Sequence, residues 1–302
     1  MNIGTSLRSG YALMDARVGA QWMIERARAA ADAGLDSLFV GDHHNVPVPY
    51  YQNVAILGRL LAEWDERPAG ALFLLPLWHP VLVAEQIGTL AAIARGPFIL
   101  QCAVGGGEEQ FRVFDTTLRE RAKRFEAALD IIRALCRGET VSVTEGPWTI
   151  DRAHIAPVPP EPLQVWIGGA SPPAVDRAAR IGDAFLIGPE ATPPEVATLV
   201  ANYRDACARH GRTPERIAVR RDVHVAATDD QAAAVADPIV QGGYRGFDPS
   251  AVVVGGPNRV ADAFAALGAA GCTDVIVRHL AEDQGAVLQS FEQLATVREN
   301  LL

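Results

Sequence analysis

Residues 33–44 read AGLDSLFVGDHH: a helix end closed by Gly34, an apolar strand over Ser37–Val40, then Gly41, Asp42, His43 and His44 at that strand's carboxyl end. The same junction returns as AARIGDAFLIGP around Gly182 and as ALGAAGCTDVIVRH around Gly271. Glycine just past a helix end, followed by a β-branched or aromatic run, marks a helix handing over to a strand. With these junctions as anchors, eight strands fall near 2–6, 37–41, 70–75, 98–104, 164–168, 184–188, 217–225 and 274–278. Runs such as ALFLL and VWIGG lack polar alternation, as strands covered on both faces do. Helices are expected over 18–33, 80–94, 117–137, 172–181, 193–210 and 257–270, with Ser171 and Asn258 near N-termini. The alternation predicts an α/β fold, one (β/α)8 TIM barrel domain spanning 1–302, with insertions at 138–162 after the fourth helix and at 226–256 after the seventh strand. Both insertions read as lids, dimer contacts or plain loops. A doubly wound sheet would carry a glycine-rich fingerprint directly after its first strand, but NIGTSL runs into RSGYALM.

Composition narrows the function classes. The 302 residues are 49% hydrophobic and 21% charged without low-complexity runs, which excludes disorder. A net charge of −9 and the lack of any basic run argue against nucleic acid or an anionic membrane surface as partner. No apolar stretch approaches the ~20 residues of a membrane span, and MNIGTSL begins a strand rather than a signal peptide, so a cytoplasmic location is the expectation. Cys102, Cys136, Cys207 and Cys272 lie far apart, so no metal site or disulfide framework is expected. They read as reduced structural thiols.

Barrels keep their chemistry on the loops that follow the strands. Asp42, His43 and His44 stand there, an acid beside two imidazoles, as candidates for proton transfer. The loop NVPVPYYQN adds an apolar wall including Tyr50 and Tyr51; Trp78 and His79 precede the helix opened by Pro80. These suit a hydrophobic substrate, although Arg8, Glu108 and Arg245 can also reach the mouth. After the fourth strand, Gly105, Gly106 and Gly107 permit close backbone approach to a ligand. After the fifth, Gly168, Gly169, Ala170 and Ser171 precede a helix whose first turn carries Pro172 and Pro173; free amides and the helix dipole there predict an anion site. Glycine turns and a capping serine would explain both stretches equally well without a ligand.

In order along the chain, AGLDSLFVGDHH, LLPLWHPVLVAEQIGTLAAIARG, AVGGGEEQFRVF with ERAKRFEAALDIIRAL, PLQVWIGGASPPAVDRAARIGDAFLIGP and VVVGGPNRVADAFAALGAAGCTDVIV resemble the luciferase-like flavin monooxygenase family, which also contains deazaflavin-dependent oxidoreductases. The resemblance covers most of residues 1–280. It implies a barrel holding a flavin or deazaflavin at the strand carboxyl ends, with His43 as the catalytic imidazole assisted by Asp42 or His44. It implies a non-proline cis peptide in a bulge within Gly70, Ala71, Leu72 and Phe73, against the ring. The cofactor phosphate would rest on Gly169, Ala170, Ser171 and Gly188, and a homodimer would form through helices near the second and third strands. Ala103 and Val104 stand near the places where light-emitting members carry a reactive cysteine and a phosphate-binding arginine, so light emission is not expected. The leading expectation is a monooxygenase using dissociable reduced FMN from a separate flavin reductase, with O2, on a small, largely apolar substrate. The alternatives are hydride transfer with coenzyme F420, a flavin-binding protein without turnover, and a flavin-free barrel acting on a sugar phosphate.

Overall fold

Eight parallel strands close on themselves in the computed structural model, which describes residues 1–12 and 14–301. They are β1 (Asn2–Leu7), β2 (Ser37–Val40), β3 (Ala69–Leu74), β4 (Phe98–Ala103), β5 (Gln164–Gly168), β6 (Ala184–Ile187), β7 (Arg216–Val225) and β8 (Asp274–His279). Each pairs with the next, and β8 returns to β1 with Asn2 opposite Asp274. Around them run α1 (Ala16–Asp32), α2 (Asn53–Leu60), α3 (Pro80–Ile93), α4 (Glu108–Val113), α5 (Arg121–Cys136), α6 (Pro172–Ile181), α7 (Pro193–Arg209), α8 (Asp229–Gln241), α9 (Pro257–Ala269) and α10 (Gln284–Asn300). This is the expected α/β TIM barrel.

Two of the three anchor glycines close helices in the left-handed region. At φ +71 Gly34 lets the Leu35 N–H reach the Ala30 carbonyl at 3.1 Å, and at φ +108 Gly271 does the same for Cys272 and Leu267 at 3.0 Å. Gly182 is extended instead (φ −94), and is glycine because a Cβ there would lie 2.6 Å from the Ala178 carbonyl oxygen. Inside the barrel, Phe39, Ile99, Trp166, Ala184, Ala218 and Ile276 form a plug, with Phe39 and Trp166 rings 5.5 Å apart. A filled interior leaves only the strand ends for chemistry.

Several sequence expectations need correction. The 226–256 stretch is not irregular: it holds α8, capped by Thr228, and a short strand Val253–Gly255 that pairs with β7. Pro238 inside α8 masks it in sequence. Helices α2, α4 and α10 were likewise absent from the expected set. The 138–162 insertion is a hairpin, Val141–Val143 against Ile150–Ala153, whose Ile150 packs with Ala84, Ile131 and Leu135 on α3 and α5. The expected cis bond within 70–73 is not there. Among the described residues Ala156–Pro157 is the cis peptide, and β3 runs in unbroken register with β4 from Ala69 opposite Phe98 to Leu74 opposite Ala103, so no bulge forms. No helix among the described residues is long and apolar enough to cross a membrane.

Candidate functional site

The carboxyl end of β2 places Asp42 under the barrel rim with its side chain fully shielded from solvent. The Leu74 N–H and the Trp78 indole N–H both donate to Asp42 Oδ2 at 2.8 Å, tying β2 to the end of β3. His44 Nε2 lies 3.1 Å from Asp42 Oδ1, within ion-pair reach but off the line of a hydrogen bond. The His44 ring sits between Trp78 at 5.4 Å and Phe114 at 4.9 Å, and its backbone N–H donates to Gln110 Oε1 at 2.8 Å. Gln110 Nε2 in turn donates to the Gly106 carbonyl at 3.0 Å, so the glycine loop after β4 is fastened to the β2 end.

His43 is the free imidazole of the two. Its side chain is exposed, 6.0 Å from the Tyr50 ring, while Gln52 holds its carbonyl at 3.3 Å. Partial burial and the neighbouring His44 lower its pKa, against the pull of Asp42, which keeps it neutral and able to accept a proton at neutral pH. Burial likewise pushes the Tyr50 phenol up to about 12, with Asp42 adding to the effect.

A cavity of about 70 Å³ opens at the mouth, reached by β1, β2, β3, β4, β6, β7 and β8 and walled by Leu7, Tyr50, Leu72, Gln101, Arg220 and Arg278 among others. Three of its polar atoms, Ser9 Oγ, Gln101 Nε2 and Arg278 Nε, are buried and bonded to nothing. On the same side Asp222 gathers cations. Arg220 Nε lies 3.1 Å from Oδ1, Arg245 Nη1 is 2.9 Å from Oδ2, and the Tyr244 hydroxyl donates to Oδ2 at 2.8 Å. Burial pushes the Asp222 carboxyl up, but Arg220, Arg278 and Arg245 outweigh it and hold the pKa below its ordinary value. Arg278 makes no ion pair, and burial together with Arg220 lowers its pKa to about 10. Three guanidiniums thus face one carboxylate, a local surplus of positive charge.

The other sequence candidates divide. Tyr50 lines the mouth, but Tyr51 does not, because its hydroxyl donates to the Ala16 carbonyl outside it. Trp78 serves Asp42 rather than an open pocket. Arg8 is held by Glu282 at 2.6 Å, and Glu108 lines a separate open cleft with Phe111 and Arg112. Ser171 caps α6 without a side-chain hydrogen bond. In the first turn Pro172 and Pro173 have no N–H, and the Ala174 N–H donates to the Ser171 carbonyl at 2.9 Å. The space over Gly188 is taken by the Glu190 carboxylate, 2.5 Å from where a Cβ would stand, which repels a phosphate. Gly105 and Gly107 are both left-handed, at φ +70 and +84, and a Cβ on Gly106 would meet nothing within 4 Å. Gly70 lies against β4, where a Cβ would stand 2.0 Å from the Ile99 carbonyl oxygen. Cys102 is fully buried, its Sγ 3.7 Å from the Trp166 carbonyl, and burial pushes its thiol up, as an inert structural thiol requires.

Arg220, Arg278, Gln101 and Gln110 were not singled out in the sequence. The available signal was charge inside one largely apolar strand, RRD at 220–222, and at the end of another, VRH at 277–279.

Residues 1–264 match the sequence pattern of the family described as luciferase-like monooxygenase. The chain belongs to that family. As a luciferase-like chain it is an oxidoreductase, and its relatives divide by cofactor. It is 26% identical over 245 residues to an F420-dependent glucose-6-phosphate dehydrogenase of Nakamurella multipartita, covering 76% of this chain and 71% of that protein. It is 26% identical over 209 residues to limonene 1,2-monooxygenase of Rhodococcus erythropolis, covering 67% of this chain and 54% of that one. The monooxygenase RslO1 from Streptomyces bottropensis superposes with a TM-score of 0.87 over 98% of each chain at 18% identity, a likeness of fold.

Proposed function

We propose that this luciferase-like chain oxidises a hydroxyl compound bearing an anionic group, with coenzyme F420 as hydride acceptor and His43 as the base. The observation that carries the reading is the pairing of a neutral, accessible imidazole at the β2 end with three guanidiniums around one carboxylate at the β7 and β8 ends. The partnerless donors Ser9 Oγ, Gln101 Nε2 and Arg278 Nε fit the carbonyl-bearing edge of a planar ring. When bound, the deazaflavin supplies a two-electron hydride acceptor. The chain's own residues do the rest. Arg220, Arg245 and Arg278 fix the anionic group, and an imidazole nitrogen of His43 takes the hydroxyl proton as the carbinol hydrogen departs with its electron pair, leaving a carbonyl. Leu7, Leu72, Leu186 and Ile276 keep water from the reacting carbon. Asp42 and His44 hold the loop that aims His43.

Those same apolar walls favour a second reading, a monooxygenase using reduced FMN and O2 on an apolar molecule; the limonene enzyme is by name a monooxygenase of such a molecule. Titration of the purified protein with F420 and with FMN separates the two. The first reading expects micromolar F420 binding and, without oxygen, bleaching of the bound deazaflavin by phosphorylated or carboxylated alcohols. Binding of FMN alone would overturn it, and binding of neither ring would overturn both.

A further inference from the structure

Alternation along β7 turns Arg220 and Asp222 into the barrel and Arg221 out toward the helices, among Ile217, Val219, Val223 and Val225. Arg221 is 1% exposed. Its Nη1 donates to the Arg220 carbonyl at 3.0 Å, its Nη2 is bonded to nothing, and no carboxylate among the described residues pairs with it. Burial holds the guanidinium below the ordinary arginine range. Asp222 and Glu190 act on it from a distance, but a buried guanidinium with no carboxylate in contact is an unusual arrangement in a folded protein.

Arg221 lines a groove of about 260 Å³ bounded by the N-terminus of α7, residues 250–254 and one side of α9. The groove is otherwise largely apolar. Val252 and Val254 form one wall, and Ala263, Ala266, Leu267 and Ala270 recur at helical spacing on α9 to form the other. Arg259 stands at the rim, 68% exposed and only loosely opposed by Asp229 at 3.9 Å. The groove therefore presents a long apolar trough with positive charge at its floor and rim. A guanidinium presents parallel N–H donors that match the two oxygens of a carboxylate, and small side chains at α-helical spacing leave room for an unbranched chain.

We propose that this groove is a second ligand site, outside the barrel mouth, for an unbranched aliphatic monocarboxylate whose carboxylate meets Arg221 and whose chain lies along α9. The site is independent of the oxidoreductase reading, because its walls belong to the helix layer rather than to the mouth.

Calorimetric titration of the full chain with decanoate, decanol and acetate tests it. Decanoate is expected to bind at one site at least tenfold more tightly than either decanol or acetate. Arg221→Met should weaken decanoate at least tenfold and leave decanol unchanged; removing an unpaired buried charge is compatible with folding. Ala266→Trp, at an exposed helical position, should weaken decanoate at least tenfold by filling the trough with its charge intact. Unchanged decanoate affinity in both variants would overturn the site. So would loss of binding on Arg278→Met instead, which places the carboxylate in the mouth, or acetate binding as tightly as decanoate, which leaves no role for a chain.

Discussion

The end of β2 and the ends of β7 and β8 face each other across one barrel mouth, yet they are built on opposite terms. At β2 the backbone and carboxylate are tied down: Asp42 Oδ2 accepts two N–H groups, Gln110 takes the His44 amide, and Gln52 holds the His43 carbonyl. At β7 and β8 the groups do not balance, with Arg278 Nε partnerless and Arg245 held in the left-handed region at φ 51 to reach Asp222. Such a backbone conformation costs on the order of 1 kcal/mol or more in a non-glycine residue and persists where its surroundings enforce it. The first region is held mainly by its own hydrogen bonds, with only Asp42 Oδ1 and His44 Nε2 left without one, while the second holds more positive charge than negative.

The largest expected effect comes from the β2 side. His43→Asn should lower kcat by roughly 10²–10⁴-fold, the usual worth of a general base, with cofactor affinity unchanged. His44→Asn should act mainly on stability. Equal kinetic loss in the two variants would make His44 the reacting imidazole and break the assignment. Next, Asp42→Ala strips a shielded carboxylate from two N–H donors and from His44, and should destabilise by about 3 kcal/mol in urea unfolding. A change within experimental error would mean the β2 end is not the rigid partner described.

The β2 site was legible because Asp42, His43 and His44 are consecutive and follow an apolar strand whose helix junction is marked by Gly34. The barrel was legible for the same reason, since its repeating unit is local. Of the arginine cluster only Arg245 was legible, as a residue able to reach the mouth; Arg220 and Arg278 are far apart in sequence and meet because β7 and β8 are neighbours when the sheet closes. At α6 the prolines that suit the start of the helix supply no N–H, so the expected anion site rests on the residues before them, Gly169, Ala170 and Ser171. The expected bulge in β3 came from resemblance alone, and nothing local in AGALFL interrupts pairing with β4.

A third prediction concerns the side of the molecule behind β8. His279 is buried against Phe291 at 4.3 Å, and burial, with Arg26 and His224 adding, pushes its imidazole down to about 3. Unfolded, the same group titrates near 6.5. Below that pH the unfolded chain takes up a proton that the folded chain refuses, so stability is present above pH 6.5 and declines as pH falls toward 3. Between pH 6.5 and 5 this loss is about 1–2 kcal/mol, and His279→Phe should flatten that slope in chemical denaturation; an unchanged slope would place the pH sensitivity elsewhere. On the β7 and β8 side, Arg278→Met should weaken inorganic phosphate, used as a probe of the mouth, by about tenfold in calorimetry without lowering stability. Undiminished phosphate binding would remove Arg278 from the anion site. The smallest effect is Trp78→Phe, which removes one of the two donors to Asp42 and should destabilise by about 1 kcal/mol.

A crystal structure with F420 bound tests the central claim most directly, through the distances from the ring's carbonyl edge to Ser9 Oγ, Gln101 Nε2 and Arg278 Nε. The expected result is a ring across the strand ends with that edge in hydrogen-bond reach of these donors and His43 beside it. A ring bound away from the mouth, or one that leaves all three donors without a partner, would contradict it.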